Sequence, residues 1–239
     1  MRLGPLRSVS LAPLVFLLGI SLAACGGRAK SADTAARPAA KPTRNAAVQL
    51  GPVPSGGARP LTLFATRAMA VYPVQRLSPG DTLGWSARVA DVNALLASLD
   101  DEIRFAFDGR KGLGTWHFVP ALERAARRAV PYRPAIRDLP VEPLMGLLSE
   151  DVRTIPAGLA ESVRMIGGLT DVRWALVPVQ LSFAPSEGGQ RAVLRIALID
   201  VRLGEVAFAG DVLGETAASW SGTVLASVAQ RLADQFVAP

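Results

Sequence analysis

Four segments of the chain repeat apolar residues every three to four positions, a spacing that places them on one face of a helix. They predict helices that run from Asp91 to just before Gly109, from Pro120 onward, over Ala157–Leu169, and across 220–236. Asp91 can cap the first helix, and proline suits the first position of the second because its missing N–H has no partner there. The last helix is amphipathic and should pack on a sheet.

Apolar runs bounded by turn residues predict strands. They cover Thr66–Leu77, Thr115–Val119 and Val172–Ala184, and two more strands form a hairpin within Arg191–Gly214. Gly204 lies between these two strands, where it can take the positive φ that a tight hairpin often requires.

The order of these elements is strand, helix, strand, helix, helix, strand, strand, strand, helix. A proline-broken stretch at 131–143 is expected to be a surface excursion with one short helix near Glu142–Ser149. The order predicts an α/β domain over 61–239, with a mixed, mostly antiparallel sheet of about four to five strands flanked by helices.

The first 24 residues have the three-part order of a secretory signal. Arg2 and Arg7 precede an apolar stretch, Leu11–Ile20, and small residues follow it. A membrane-spanning helix needs roughly 17–25 apolar residues, so this stretch is too short to be one.

The run Leu22-Ala23-Ala24-Cys25 resembles the lipobox of bacterial lipoproteins. The resemblance implies that the thiol of Cys25 carries a diacylglycerol, that residues 1–24 are removed, and that the new amine is often acylated. Each buried methylene contributes about 0.8 kcal/mol, so two or three acyl chains would anchor the chain durably. An ordinary secreted protein with a cysteine in its signal is the alternative. By the enterobacterial sorting rule, Gly26 favours the periplasmic face of the outer membrane.

Residues 25–60 form the segment between the lipidated cysteine and the predicted domain. They are rich in alanine, proline and glycine and show no apolar period, which predicts a disordered tether. Eight of the 26 basic residues and one of the 20 acidic residues precede Leu61, which leaves 18 basic and 19 acidic residues in the domain. The formal net charge of +6 therefore lies in the signal and the tether, and we expect no nucleic-acid partner.

The residue inventory argues against an enzyme. His117 is the only histidine and Cys25 the only cysteine, which leaves few ligands for zinc and no Ser-His-Asp arrangement without His117. The acidic run 100–102 is interpreted as a solvated helix face. We expect no cofactor and no metal.

Two features suggest contact with other molecules. Arg124, Arg127 and Arg128 fall on adjoining parts of one helix face, with Arg133 just beyond, and could bind anions or an acidic partner. A solvated face balanced by neighbouring acids is the alternative. Trp85, beside a glycine in a polar loop, is expected at a surface, where it could anchor a partner.

The folded part also resembles a group of envelope domains. The residues that carry the resemblance are the opening strand Val71-Tyr72-Pro73-Val74, the hairpin Ile199-Asp200-x-Arg202-x-Gly204-Glu205-Val206, and the closing helix. The group comprises the curli-assembly lipoprotein, the amino-terminal domain of TolB, and lipoprotein activators of penicillin-binding proteins. It implies an anticodon-binding-domain-like fold. The threonine common in the group's hairpin is absent, and no spare strand pairs are present that would build a pore.

The sequence thus predicts a lipid-anchored, periplasm-facing envelope lipoprotein that acts as a non-catalytic adaptor or assembly factor for a partner protein. The alternative is a module that binds an anionic envelope polymer or glycolipid through the arginine face. A homo-oligomer is left open.

Overall fold

A computed structural model describes residues 61–81, 83–129, 134–145 and 154–237. The strands are β1 (Met69–Val71), β2 (Trp116–His117), β3 (Trp174–Ser186), β4 (Gly189–Asp200) and β5 (Glu205–Leu213). The helices are α1 (Val92–Asp108), α2 (Val119–Arg128), α3 (Ala157–Thr170) and α4 (Gly222–Phe236). Short 3-10 turns lie at Thr62–Phe64, Ser86–Arg88 and Glu142–Leu144. The predicted order of elements is confirmed.

The five strands form one mixed sheet in the order β2-β1-β3-β4-β5. β1 runs parallel to both of its neighbours, whereas β3, β4 and β5 form an antiparallel meander. The α/β class and the mixed sheet predicted from the sequence are therefore confirmed.

Both faces of the sheet are covered by helices. Alternate residues of β3 and β4 belong to two separate apolar clusters, as the two-residue period of a strand requires. Leu176 and Leu198 pack with α1 and α4 in one cluster, and Val177 and Ile199 pack with α2 and α3 in the other. The central strands are apolar on both faces because neither face meets water.

The first strand is shorter than predicted. Only Met69–Val71 pairs regularly, but the chain continues alongside β3 with separate hydrogen bonds from the amides of Tyr72, Gln75 and Ser78 to carbonyls of β3. Pro73 has no N–H to donate, and the β3 register itself shifts after Pro178. The extended segment is therefore present, with an interrupted ladder.

Local signals at the helix ends behave as the sequence predicts. The carboxylate of Asp91 accepts a hydrogen bond from the amide of Ala94 at 3.0 Å, and Gly109 follows the last residue of α1. Of the short helix predicted near Glu142–Ser149, a 3-10 turn forms at Glu142–Leu144, and residues 146–149 lie outside the described residues. No helix in the described ranges is both long and apolar enough to cross a membrane.

Candidate functional site

The arginine face predicted on α2 is partly present. Arg124, Arg127 and Arg128 are exposed, while the opposite side of α2 is buried against α3. Within the described part of the chain, these three guanidinium groups form no ion pair. Arg133 lies outside the described residues, as do Cys25 and the tether.

Trp85 was expected at a surface, and this expectation is wrong. Its side chain is 2% exposed and packs edge-on against Phe183 and Trp220, with ring centroids 5.7 and 5.8 Å away. Because it belongs to the core, Trp85 cannot anchor a partner.

The loop before Trp85 explains its burial. The carboxylate of Asp81 accepts hydrogen bonds from the amides of Leu83, Trp85 and Ser86, at 2.6 to 3.1 Å. Burial alone would raise the pKa of Asp81, but the N–H groups of Ser86 and Trp85 outweigh it and lower the pKa to about 2. The loop therefore closes around an ionised carboxylate and turns the indole inward.

Asp100 also differs from the sequence interpretation, because it is buried rather than solvated. Its oxygens accept from the amide of Val74 at 2.8 Å and from Arg137 at 3.1 Å, and Arg137 also reaches Glu123. Burial raises the pKa of Asp100 to about 6, although the hydrogen bond from Val74 and the charge of Arg137 oppose the rise. This network ties α1, α2 and the loop at 134–141 together.

A cleft of about 550 Å³ opens at the end of the sheet where the parallel strands begin. Because β1 and β3 are parallel, the residues just before each strand lie side by side, and the antiparallel β4 ends at the same place. Four residues around the start of β1 line the cleft: Leu63, Phe64, Arg67 and Ala68. The other four come from the start of β3 and the β4–β5 turn: Asp171, Arg173, Trp174 and Arg202. We call it the hairpin-end cleft.

Asp200 organises this end of the sheet. One carboxylate oxygen accepts from the Nε and Nη2 of Arg173 at 2.8 and 2.5 Å, and the other accepts from the amides of Arg202 and Leu203 at 3.0 and 3.2 Å. Burial would raise the pKa of Asp200, but these hydrogen bonds and the charge of Arg173 lower it. Gly204 closes the turn at φ 72°, as predicted. The hairpin is thus built around a buried anion.

The indole ring of Trp174 also contacts Arg173. The guanidinium carbon of Arg173 lies 5.1 Å from the ring centroid of Trp174, within the range of a cation–π contact. The Trp174 ring meets Phe64 edge-on, with 4.8 Å between centroids. The cationic group on the wall of the cleft is therefore fixed before anything binds.

The rest of the hairpin-end cleft is open to solvent. Leu63 is 81% exposed on its lining, and Leu203, the neighbour of Arg202 in the turn, is 59% exposed. Arg67 and Arg202 are also exposed, and in the described ranges their guanidinium groups have no acidic partner. Arginine and aromatic side chains, which also line this cleft, are enriched at protein–protein interfaces.

The chemistry of this arrangement favours binding. The buried carboxylate, Asp200, is committed to Arg173 and to the turn amides, and so it cannot serve as a free base. His117, the single histidine, lies on β2, on the other side of β1 from β3. Among the described residues, no three His, Cys, Asp or Glu side chains gather closely enough to hold a metal ion.

Comparison with known proteins gives distant structural likenesses. The C-terminal domain of LpoB from Salmonella enterica resembles the chain at 14% identity with a TM-score of 0.36, over 66% of this chain and 88% of that chain. The NMR structure of Escherichia coli LpoB gives 13% identity and a TM-score of 0.35, over 89% and 94%. A dodecamer of a PelC variant from Paraburkholderia phytofirmans gives 13% identity and a TM-score of 0.31, over 76% and 92%.

No family model and no curated protein matches the sequence. The residues of the chain itself therefore carry the function proposed below.

Proposed function

We propose that this protein is a lipid-anchored lipoprotein of the periplasmic side of the outer membrane, and that it acts as a non-catalytic adaptor for a partner protein. The observation that carries the adaptor role is the hairpin-end cleft. It combines an exposed leucine, Leu63, with a guanidinium group held by an ion pair and an indole ring. Such a surface offers contact area and charge without a reactive group.

The anchor is supported by the sequence alone. The run Leu22–Cys25 follows a short apolar segment, and Cys25 is the only cysteine of the chain. Lipid on Cys25 and a tether of about 35 residues would let the domain reach on the order of 100 Å from the membrane if the tether were extended.

Crosslinking in the native envelope tests the adaptor role. The lipidated chain should capture a defined protein, and that protein, crosslinked in its turn, should capture the chain. Recovery of nothing except lipid and peptidoglycan would show that the adaptor role is wrong.

The Cys25→Ala variant tests the anchor. It should leave the membrane fraction and carry no acyl chain, whereas the unmodified chain should stay with the membrane. A variant that remains acylated and membrane-bound would refute the lipid attachment.

The exposed arginines of α2 favour a second function, which is binding of an anionic envelope polymer or glycolipid. Contacts through Arg124, Arg127 and Arg128 should weaken steeply as ionic strength rises, whereas an interface with a large apolar part should not. Binding that survives high salt would exclude this second function.

A further inference from the structure

We propose that the hairpin-end cleft receives a peptide segment of the partner protein that carries both acidic and apolar side chains. This inference rests on the adaptor function proposed above and names the contact site and the chemistry of its ligand. Three arginines and one aspartate, Asp171, are the charged side chains on its lining, and so the lining has an excess of positive charge.

The three arginines differ in how they are held. Arg173 is fixed by Asp200 and by the Trp174 ring, whereas Arg67 and Arg202 line the cleft with no ion pair in the described part of the chain. A carboxylate that enters between them would find the remaining N–H groups of Arg173 held in a fixed orientation, and two further guanidinium groups, those of Arg67 and Arg202, that can close on it. Arginine binds carboxylates through two parallel hydrogen bonds, which gives direction as well as strength.

The apolar lining restricts the ligand further. Leu63, Phe64 and Trp174 all line the cleft, and the rings of Phe64 and Trp174 meet edge-on. Aliphatic and aromatic side chains gain about 25 cal/mol per Å² of apolar surface that they bury, which a sulfated or carboxylated sugar chain cannot match. A peptide with leucine or aromatic residues beside glutamate or aspartate complements both parts of the cleft.

The positive charge of the cleft lining does not favour the chain's own tether as its occupant. Between Cys25 and Pro60 it carries six basic residues and a single acid, Asp33. Like charges would repel it from Arg67 and Arg202, although it joins the domain only a few residues before Leu63. The cleft therefore suits another molecule.

Site-specific photo-crosslinking in the native envelope tests this assignment. A photoreactive amino acid is placed at Leu203, the exposed neighbour of the lining residue Arg202, and in a matched variant at Phe105, which is 70% exposed on α1. The Leu203 position should capture the adaptor's partner, and mass spectrometry should locate the crosslink in a segment with acidic and apolar residues. The Phe105 position should capture none of that partner.

Charge reversal provides the second measurement. Arg67→Glu with Arg202→Glu should lower the yield from the Leu203 position at least about fivefold, because exposed charges at an interface rim steer association. The matched control reverses two exposed cations elsewhere, Arg88→Glu with Lys111→Glu, and should keep the yield within about twofold. Both double variants change the net charge equally. Because all four positions are exposed, both variants should fold, and circular dichroism checks this.

The outcomes separate this inference from the adaptor role. A partner captured elsewhere on the chain but not from Leu203, or captured equally well after the Arg67 and Arg202 reversals, overturns the cleft and leaves the adaptor role standing. A crosslink from Leu203 to a saccharide or a lipid also overturns the peptide assignment. Failure to capture any protein from any position overturns the adaptor role itself.

Discussion

Arg137→Gln should destabilise the protein much more at neutral pH than in mild acid. Arg137 is the cation that contacts the buried Asp100, at 3.1 Å. With the pKa of Asp100 raised to about 6, this carboxyl is ionised at neutral pH and mostly protonated at about pH 5. Without Arg137, ionised Asp100 would keep only the amide of Val74 as a partner for its charge.

The expected loss of stability follows from the burial of Asp100 and the partial exposure of Arg137. Removal of one partner from a fully buried pair costs about 3–5 kcal/mol, but the Arg137 side chain is half exposed. We therefore expect a loss of about 2 kcal/mol in the free energy of unfolding at neutral pH. Near pH 5 only the exposed contact with Glu123 remains to be lost, worth less than about 1 kcal/mol.

In the unmodified protein, the change of stability with pH that Asp100 contributes is opposite in sign to that of an ordinary salt-bridged aspartate. Burial raises the pKa of Asp100 from 3.8 to about 6, so the folded state binds this proton more tightly than the unfolded state. The contribution of Asp100 to stability is therefore greatest below about pH 4 and falls as pH rises to about 6, by up to about 3 kcal/mol. The Asp100→Asn variant should lack this dependence.

Urea unfolding followed by circular dichroism at about pH 5 and about pH 7.5 measures these differences. Arg231→Gln, which removes an exposed ion pair with Glu215 at 3.5 Å, is the matched control and should change stability little at either pH. An equal loss for Arg137→Gln at both pH values would refute the ionisation of Asp100 as the cause. So would an undiminished effect of Arg137→Gln in the Asp100→Asn background.

Three further substitutions test other parts of the structure. Asp200→Asn should lower the free energy of unfolding by about 2 kcal/mol at neutral pH, because it removes an ion pair while its amide oxygen can still accept from the turn. The loss of stability relative to the unmodified protein should shrink as pH falls through the lowered pKa of the native carboxyl. Asp81→Ala should cost about 2 kcal/mol and shift the fluorescence of Trp85 to the red, because three amide hydrogen bonds hold its loop inward. Gly114→Ala should cost at least about 2 kcal/mol in thermal or urea unfolding, because a Cβ there would collide with the carbonyl oxygen of Thr66.

Gly114→Ala has a matched control in the same chain. Gly109→Ala places a methyl group where nothing lies within 4 Å, and should be close to neutral. If Gly114→Ala proved equally neutral, the close approach at Thr66 would be wrong. An unchanged emission spectrum in Asp81→Ala would mean that the carboxylate does not seat Trp85, and a pH-independent deficit in Asp200→Asn would contradict the lowered pKa of Asp200.

The sequence predicted the elements because their signals are local. The helical period, the Asp91 cap and the glycine of the β4–β5 turn each depend on a few neighbouring residues, and all three are present. The interpretation of Asp100 as solvated is wrong, although the sequence contains a signal for its burial. It follows Leu96 by four residues and precedes Ile103 by three, which places it on the buried face of α1.

The hairpin-end cleft could not be predicted from sequence neighbours. Arg67, Arg173 and Arg202 come from three distant places, and only the parallel pairing of β1 with β3 brings the first two together. A usable signal was that Arg67 and Arg173 each lie within two residues of the start of a strand. The prediction for Trp85 is wrong because of its sequence neighbours. They are polar and indicate a surface, whereas the Asp81 carboxylate holds the loop inward.

The double engagement of Asp200 has a consequence for genetics. A substitution at Asp200 that removes both side-chain oxygens loosens the turn and releases Arg173 in one step, so a defect in the cell would combine loss of folded protein with loss of any contact made there. Arg67 and Arg202 carry no such double duty through their side chains. In a mutational screen, substitutions at Arg67 or Arg202 can impair function while the amount of folded protein stays unchanged. Substitutions at Asp200 should lower both.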